Sequence, residues 1–271
     1  MPQVERSFIN TSSGRIHVAT AGVGAPVLLL HQTPRSWDEY RAVLPLLGRH
    51  YQAVAMDTVG YGDSDSLPDG DPSIERWAKA AHDLLAALKI SRAAIVGHHT
   101  GAAIAVETAA AYPEQVAALV LSACPYTNAE RRQAAAQSTH VIDQAAPRAD
   151  GGHLAELWSM RQPFYPADRI DLMERFIVDA LKAGPRAAEG HRVVDRYEID
   201  KRLALVRCPT LLIAPTADPH AHPHAPSVAT AIAGSTLVNI ENGMVPLPDQ
   251  MPEEFSEVVH HFLSSQPVWG G

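Results

Sequence analysis

Short continuous apolar runs recur along this chain, separated by longer stretches in which apolar residues return every three or four positions. Pro26-Val27-Leu28-Leu29-Leu30-His31, Ala53-Val54-Ala55-Met56, Ala93 to Val96, Val116 to Leu121 and Pro209 to Ala214 are runs of the first kind. That is the pattern of strands buried on both faces of a parallel sheet. The helical spacing of Ser36 to Leu47 and of Ser73 to Leu88 predicts helices between them, with Ser36 as the first N-cap and Gly48 just past that helix's end. Residues 4–10 and 15–20 alternate apolar and polar about Ser12-Ser13-Gly14, which predicts an opening β-hairpin. Ser235 to Ile240 and Pro252 to Leu263 predict a last strand and a closing helix.

From about residue 126 to 206 the rhythm breaks. This block has helical patterns, four spaced prolines (Pro147, Pro163, Pro166, Pro185) and no convincing core strand. Alternating strands and helices elsewhere make the fold class α/β, a mostly parallel sheet flanked by helices. The expected organisation is a core built from residues 1–125 and 207–271, with residues 126–206 inserted as a helical cap.

One stretch carries the chemistry. Ala93 to Val96 stops at Gly97, Gly101 follows four residues later, and small helix-forming residues run on to Tyr112. Strand, tight turn and helix is the setting in which a G-x-S-x-G pattern means a nucleophile elbow. Here the middle position of Gly97-His98-His99-Thr100-Gly101 is His99. Histidine is among the non-glycine residues enriched at positive φ, so it is a tolerable occupant of such a turn.

Composition narrows the partners. The chain has 271 residues and a formal net charge of -8, which argues against nucleic-acid and anionic-membrane binding. The two cysteines, Cys124 and Cys208, suggest neither a disulfide framework nor a C-x-x-C site. Met1 to Arg6 lacks the apolar region of a signal peptide, and no apolar run reaches the roughly 18 residues that a membrane span needs. A cytoplasmic protein acting on a small molecule, without cofactor or metal, is the expectation; a homodimer is admitted, since nothing in the sequence fixes oligomeric state.

Four stretches together resemble the α/β-hydrolase superfamily, in its epoxide hydrolase and dehalogenase branch. Leu28 to Trp37 is similar to the "H-G-F-P-x-S" oxyanion loop, Asp57 to Ser64 to the loop that follows the next strand, and Gly97 to Gly101 to the elbow. Gly243-Met244-Val245-Pro246-Leu247 with Pro252-Glu253-Glu254-Phe255 is similar to "G-H-M-V-P-L-E-x-P-E-x-F". The resemblance spans essentially everything outside the insertion and implies a Ser-His-Asp arrangement. Two members depart from it: His99 stands at the serine position and Gly243 at the histidine position, while Asp218 falls where the family keeps its acid. The resemblance also raises a cis Thr33–Pro34 peptide, on which the residues themselves are silent.

The two departures point to a rearranged site, with His99 reaching into the volume that the usual imidazole fills and giving one ring N–H to Asp218. A carboxylate in that role fixes the tautomer and stabilises the imidazolium. The expected activity is hydrolysis of a small activated ester, lactone or β-dicarbonyl by general-base activation of water. Alternatives are a lyase or other proton abstraction on the same base, and a binding protein with a dead elbow. The resemblance places the oxyanion donors at the backbone N–H groups of Thr33 and Thr100. Arg35, Trp37, Tyr126 and His220 are candidates to face substrate; for Arg35 a surface salt bridge is an equal reading. His31 and His98 read as structural hydrogen bonders and Asp57 as the organiser of its loop. His220, His222 and His224 read as a proline-interrupted loop rather than a metal site. Trp158, Phe164, Tyr165 and Tyr197 are either pocket lining or core of the insertion.

Overall fold

The computed structural model describes residues 1–67, 70–138 and 142–266. Strands β1 (Glu5–Thr11) and β2 (Gly14–Ala21) form the opening hairpin, and β3 (Pro26–Leu30), β4 (Gln52–Met56), β5 (Ala93–His98), β6 (Val116–Ser122), β7 (Thr210–Pro215) and β8 (Thr236–Ile240) follow. They make one eight-stranded sheet in the order β1-β2-β4-β3-β5-β6-β7-β8. Only β2 runs against its neighbours β1 and β4; all the other pairings are parallel.

Strand β3 shows why its sequence is continuously apolar. Leu28 and Leu30 enter one core cluster and Val27 and Leu29 the other, so both faces of the strand are covered. Helices α1 (Val43–Leu47) and α11 (Pro252–Ser264) cover the second face. Helices α2 (Ile74–Ala87) and α3 (Thr100–Ala111) cover the first. Ser73 caps α2 as a β-region N-cap, its side chain accepting from the Arg76 N–H at 3.3 Å.

The helix expected over Ser36 to Leu47 is instead a short 3-10 turn at Trp37–Tyr40 followed by the five-residue α1. Pro45 has no N–H to bond back one turn to Arg41, and its ring crowds that carbonyl, so a helix cannot run on unbroken from Ser36. Ser36 does cap the turn, accepting from Asp38.

The segment between β6 and β7 is helical, with α4 (Ala129–Gln137), α5 (Gly152–Arg161), α6 (Ile170–Ala183), α7 (Arg186–Arg196) and α8 (Ile199–Arg202), whereas α9 (Ala225–Ala231) follows β7. The segment has its own small core of Tyr165, Leu172, Met173, Phe176 and Ala180. Arg35 fastens α6 to the core, with Nε 2.8 Å from Asp179 and Nη1 2.7 Å from Asp249. No described helix is long and apolar enough to cross a membrane.

Candidate active site

The turn between β5 and α3 is built on two glycines. A Cβ at Gly97 would lie 2.2 Å from the Gly101 carbonyl oxygen, and one at Gly101 would lie 1.9 Å from the Leu30 oxygen. Only hydrogen fits at either place, so the helix start sits directly against β3 and β5. His99 takes the tip at φ 49°, ψ -115°, a conformation that costs of order 1–3 kcal/mol and persists only where the surroundings impose it. Here they do: its N–H donates to the Ser122 carbonyl at 3.0 Å, and its carbonyl accepts from Ala102 and Ala103.

The elbow delivers the His99 ring to Asp218. Nε2 lies 2.8 Å from Oδ2, an ion-pair contact that is off the line of an ideal hydrogen bond. Oδ1 accepts from the backbone N–H groups of His220 at 2.8 Å and Ala221 at 3.1 Å. Burial works to raise the Asp218 carboxyl, but His99 and those two amides outweigh it and hold the group below the usual carboxylate range. With Nε2 turned to the acid, Nδ1 is the nitrogen left over. His99 lines a cavity of about 550 Å³, within the range of small-molecule sites.

The core contributes Gln32, Thr33, Thr100, His220 and Val245 to that cavity, and the insertion contributes Arg131, Met160, Arg161, Phe164 and His191. Thr33 and Thr100 face each other with their hydroxyls 2.9 Å apart, and the peptide before Pro34 is cis. Neither the Thr33 nor the Thr100 backbone N–H meets an acceptor among the described residues. The Gln32 N–H is different, since it donates to Glu39 at 2.9 Å. Helix α7 closes over this corner through Gly190, where a Cβ would fall 2.1 Å from the Thr33 hydroxyl oxygen.

Other expectations change. Arg35 neither faces substrate nor sits at the surface. It is 0% exposed, held by Asp179, Asp249 and Asp38, because its acidic partners come from α6 and from the helix α10 (Leu247–Gln250). Trp37 lies outside the cavity, beneath the guanidinium groups of Arg6 and Arg41. Tyr126 is half-buried against the core and stacked on His224, also off the cavity lining. His220 does reach the cavity, its ring 4.6 Å from that of Phe164; burial lowers its pKa. Of the four aromatic candidates in the insertion, Phe164 alone is on the cavity wall. Tyr165 belongs to the insertion's core, Tyr197 donates to Glu107 at 2.7 Å, and Trp158 lies in a separate apolar groove with Leu154 and Ile177.

At Gly243 a Cβ would meet Leu247 Cδ1 at 2.8 Å and Pro215 Cβ at 2.9 Å, so a side chain there must displace packed neighbours. His98 is structural, with Nδ1 2.9 Å from the Ser122 hydroxyl and Nε2 donating to the Val245 carbonyl at 2.8 Å. Burial and the neighbouring His99 push its pKa down to about 3. His31 bridges Gln32 and Thr58, and Asp57 accepts from the N–H groups of Trp37 and Asp63.

His17, Asp57 and Asp63 bring ligand atoms within 4.8 Å of one another. Arg6 and Lys182 already pair with Asp63, and two backbone amides with Asp57, so this donor set is occupied and lies off the cavity.

Sequence reading missed two cavity-wall residues between β6 and β7, Arg161 and His191, and the buried Asp143 that holds them. Arg161 binds Asp143 through both Nε and Nη2, and His191 Nε2 lies 2.6 Å from Asp143 Oδ2. Their separations of 18 and 48 residues carry no periodic signal.

Two curated proteins are similar over part of the chain. Epoxide hydrolase 3 of Siraitia grosvenorii is 38% identical over 124 residues, 44% of this chain and 39% of that protein. The 2-hydroxymuconate semialdehyde hydrolase of Pseudomonas sp. (strain CF600) is 31% identical over 123 residues, 44% of this chain and 43% of that protein. The aligned stretches therefore span about two-fifths of the length of these relatives. Among solved structures, the enol-lactonase from Burkholderia xenovorans LB400 matches with a TM-score of 0.76 at 19% identity, covering 96% of this chain and 100% of that one. A hydrolase from Pseudomonas aeruginosa PA01 matches with a TM-score of 0.76 at 24% identity, covering 96% and 99%. At these identities the likeness is one of fold. The family model of the alpha/beta hydrolase fold matches residues 25–243, from the start of β3 to Gly243, and the chain belongs to that family.

Proposed function

We propose that this chain is a cofactor-independent hydrolase of small activated acyl compounds (esters, lactones or β-dicarbonyls), with His99 as general base and Asp218 as its partner. The observation that carries the reading is the His99 Nε2 to Asp218 Oδ2 distance of 2.8 Å at the tip of the elbow. In this reading His99 Nδ1 takes a proton from a water molecule as the oxygen attacks the substrate carbonyl. The new C–O bond pushes the carbonyl electron pair onto oxygen, where the Thr33 and Thr100 N–H groups receive it. The tetrahedral species then collapses, and the imidazolium returns its proton to the leaving oxygen or carbon. No bond to the protein forms at any stage. Removing one such oxyanion donor typically costs about 2.7–4 kcal/mol.

What supports the oxyanion assignment is that both residues line the cavity and their amides lack other acceptors among the described residues, whereas the Gln32 amide has one. The insertion serves as a cap in this scheme, since it supplies the far wall of the cavity.

The test is a turnover screen of esters, lactones and β-dicarbonyls with wild type and His99→Ala side by side. Loss of base catalysis lowers kcat by roughly 10²–10⁴-fold, with substrate binding retained. Elimination without hydrolysis would move the same base to lyase chemistry. A His99→Ala protein as active as wild type, or saturable binding with no turnover by either, would refute the catalytic reading.

A further inference from the structure

Arg161 is 5% exposed, yet it lies on the wall of the His99 cavity. Its guanidinium is fixed on three sides. Nε and Nη2 bind the two oxygens of Asp143, Nη2 also lies 3.0 Å from His191 Nε2, and the group sits 5.0 Å over the Phe176 ring. The fourth side is open, because Nη1 and its two N–H groups have no acceptor among the described residues. A planar donor held this way is already oriented before a ligand arrives, so little side-chain freedom is lost on binding.

The charge balance sharpens what the open edge would take. Asp143 is 2% exposed. Burial works to raise its carboxyl, but Arg161 and His191 overcome this and bring it to about 2. It is therefore a carboxylate at neutral pH, and it neutralises most of the guanidinium's charge while leaving the Nη1 donors unsatisfied. An apolar ligand end would bury those donors without partners, which is costly. An anionic oxygen would satisfy them with charge-assisted hydrogen bonds. Arg131 adds a second cation to the same wall and Asp195 the one opposing carboxyl from α7.

We infer that Arg161, positioned by Asp143 and His191, is a specificity residue that binds a carboxylate on the substrate, so that the preferred substrates are acyl compounds carrying a second, free acid group. This rests on the hydrolase reading for turnover but not for binding, and the two are tested separately.

The rate experiment compares 4-nitrophenyl hexanoate with the mono-4-nitrophenyl ester of adipic acid, which has the same acyl-chain length. Wild type should favour the acid ester in kcat/KM by about 10- to 100-fold, the worth of a hydrogen bond to a charged group. In Arg161→Gln that ratio should fall towards one. Because Arg161→Gln leaves the buried Asp143 with His191 alone, the Asp143→Asn/Arg161→Gln double variant is measured beside it and should show the same collapse. A purely structural role for Arg161 would lower both rates together and leave the ratio intact. Calorimetric binding of hexanoate against 1-hexanol supplies the second readout. Wild type and His99→Ala should both prefer hexanoate, and the two Arg161 variants should not. If neither ester is turned over, the hydrolase reading fails while calorimetry still decides this inference. An unchanged rate ratio in both variants, or no preference for hexanoate by wild type, overturns it.

Discussion

Putting a side chain back at Gly243 tests whether the site can return to the arrangement its family resemblance implies. An alanine Cβ at this position would stand 2.8 Å from Leu247 Cδ1, 2.9 Å from Pro215 Cβ and 3.2 Å from the Ile240 carbonyl oxygen. Leu247 is 0% exposed and can turn only into packed neighbours. Pro215 Cβ is a ring atom at the end of β7 and cannot swing away. Overpacking of this kind costs typically about 1–3 kcal/mol, and each kcal/mol lowers the melting temperature of a domain near this size by roughly 2–4 °C. Gly243→Ala should therefore melt several degrees below wild type. Because the Gly243 carbonyl accepts from the Ala217 N–H at 2.8 Å, the displacement reaches the residue next to Asp218, and turnover should fall as well. The His99→Ser/Gly243→His double variant, which restores the family's residue types, should be less stable still and inactive on 4-nitrophenyl esters. Scanning calorimetry with an ester assay reads all three proteins. A Gly243→Ala protein that melts with wild type, or an active double variant, would show that the space beside residue 243 is not closed.

Two further outcomes follow from the same packing and electrostatics. Gly190→Ala drives a methyl group into Thr33, 2.1 Å from its hydroxyl oxygen and 2.5 Å from its Cβ. Helix α7 must retreat from the Thr33 corner, and steady-state kinetics should show kcat/KM down by about 10-fold or more, as displacement near 1 Å in a reacting geometry does; unchanged kinetics would remove Thr33 from the site. His98 supplies a pH prediction, since its folded pKa is about 3 while the unfolded value is near 6.5. The unfolded chain takes up a proton that the folded one refuses, so this contribution is fully present above pH 6.5 and is lost as pH falls. Urea titrations should show stability dropping by about 1.4 kcal/mol per pH unit from this one group between pH 6.5 and 5. In His98→Asn the slope should be shallower by about that amount, and an equal slope would mean that another group drives the loss.

The parts of the molecule that could be read from the chain are those set by local repetition. The strand runs Val27 to Leu30 and Val116 to Leu121 are apolar at every position because both faces are buried, and short-range pattern alone shows it. The elbow was legible because its glycines are required by backbone contacts four residues apart. Arg35 was not, since the acids that bury it lie 144 and 214 residues away. Nor was Arg161, whose partner Asp143 lies 18 residues back, across Pro147 and the Gly151-Gly152 pair. The helix expected from Ser36 failed for a nearer reason, Pro45, whose missing N–H outweighed a correct apolar spacing.

Moving an imidazole onto the elbow has a consequence that a simple exchange of residue types would not suggest. Nε2 faces Asp218, so in the proposed mechanism the base is Nδ1, the nitrogen nearer the backbone. The neighbouring amide is that of Thr100, at the start of α3, where the helix's N-terminal N–H groups are unsatisfied and its dipole favours negative charge. Base and oxyanion donor would then come from consecutive residues of one rigid turn, fixed relative to each other by Gly97 and Gly101 rather than by loop packing. In a Ser-His-Asp arrangement the base approaches from a separate loop and its distance to the oxyanion donors depends on that loop. In the proposed scheme the dependence would pass to the cavity wall supplied by the helices between β6 and β7, which would set where the substrate carbonyl lies. A change on that wall such as Arg161→Gln should therefore alter which substrates react, while changes in the elbow decide whether any does.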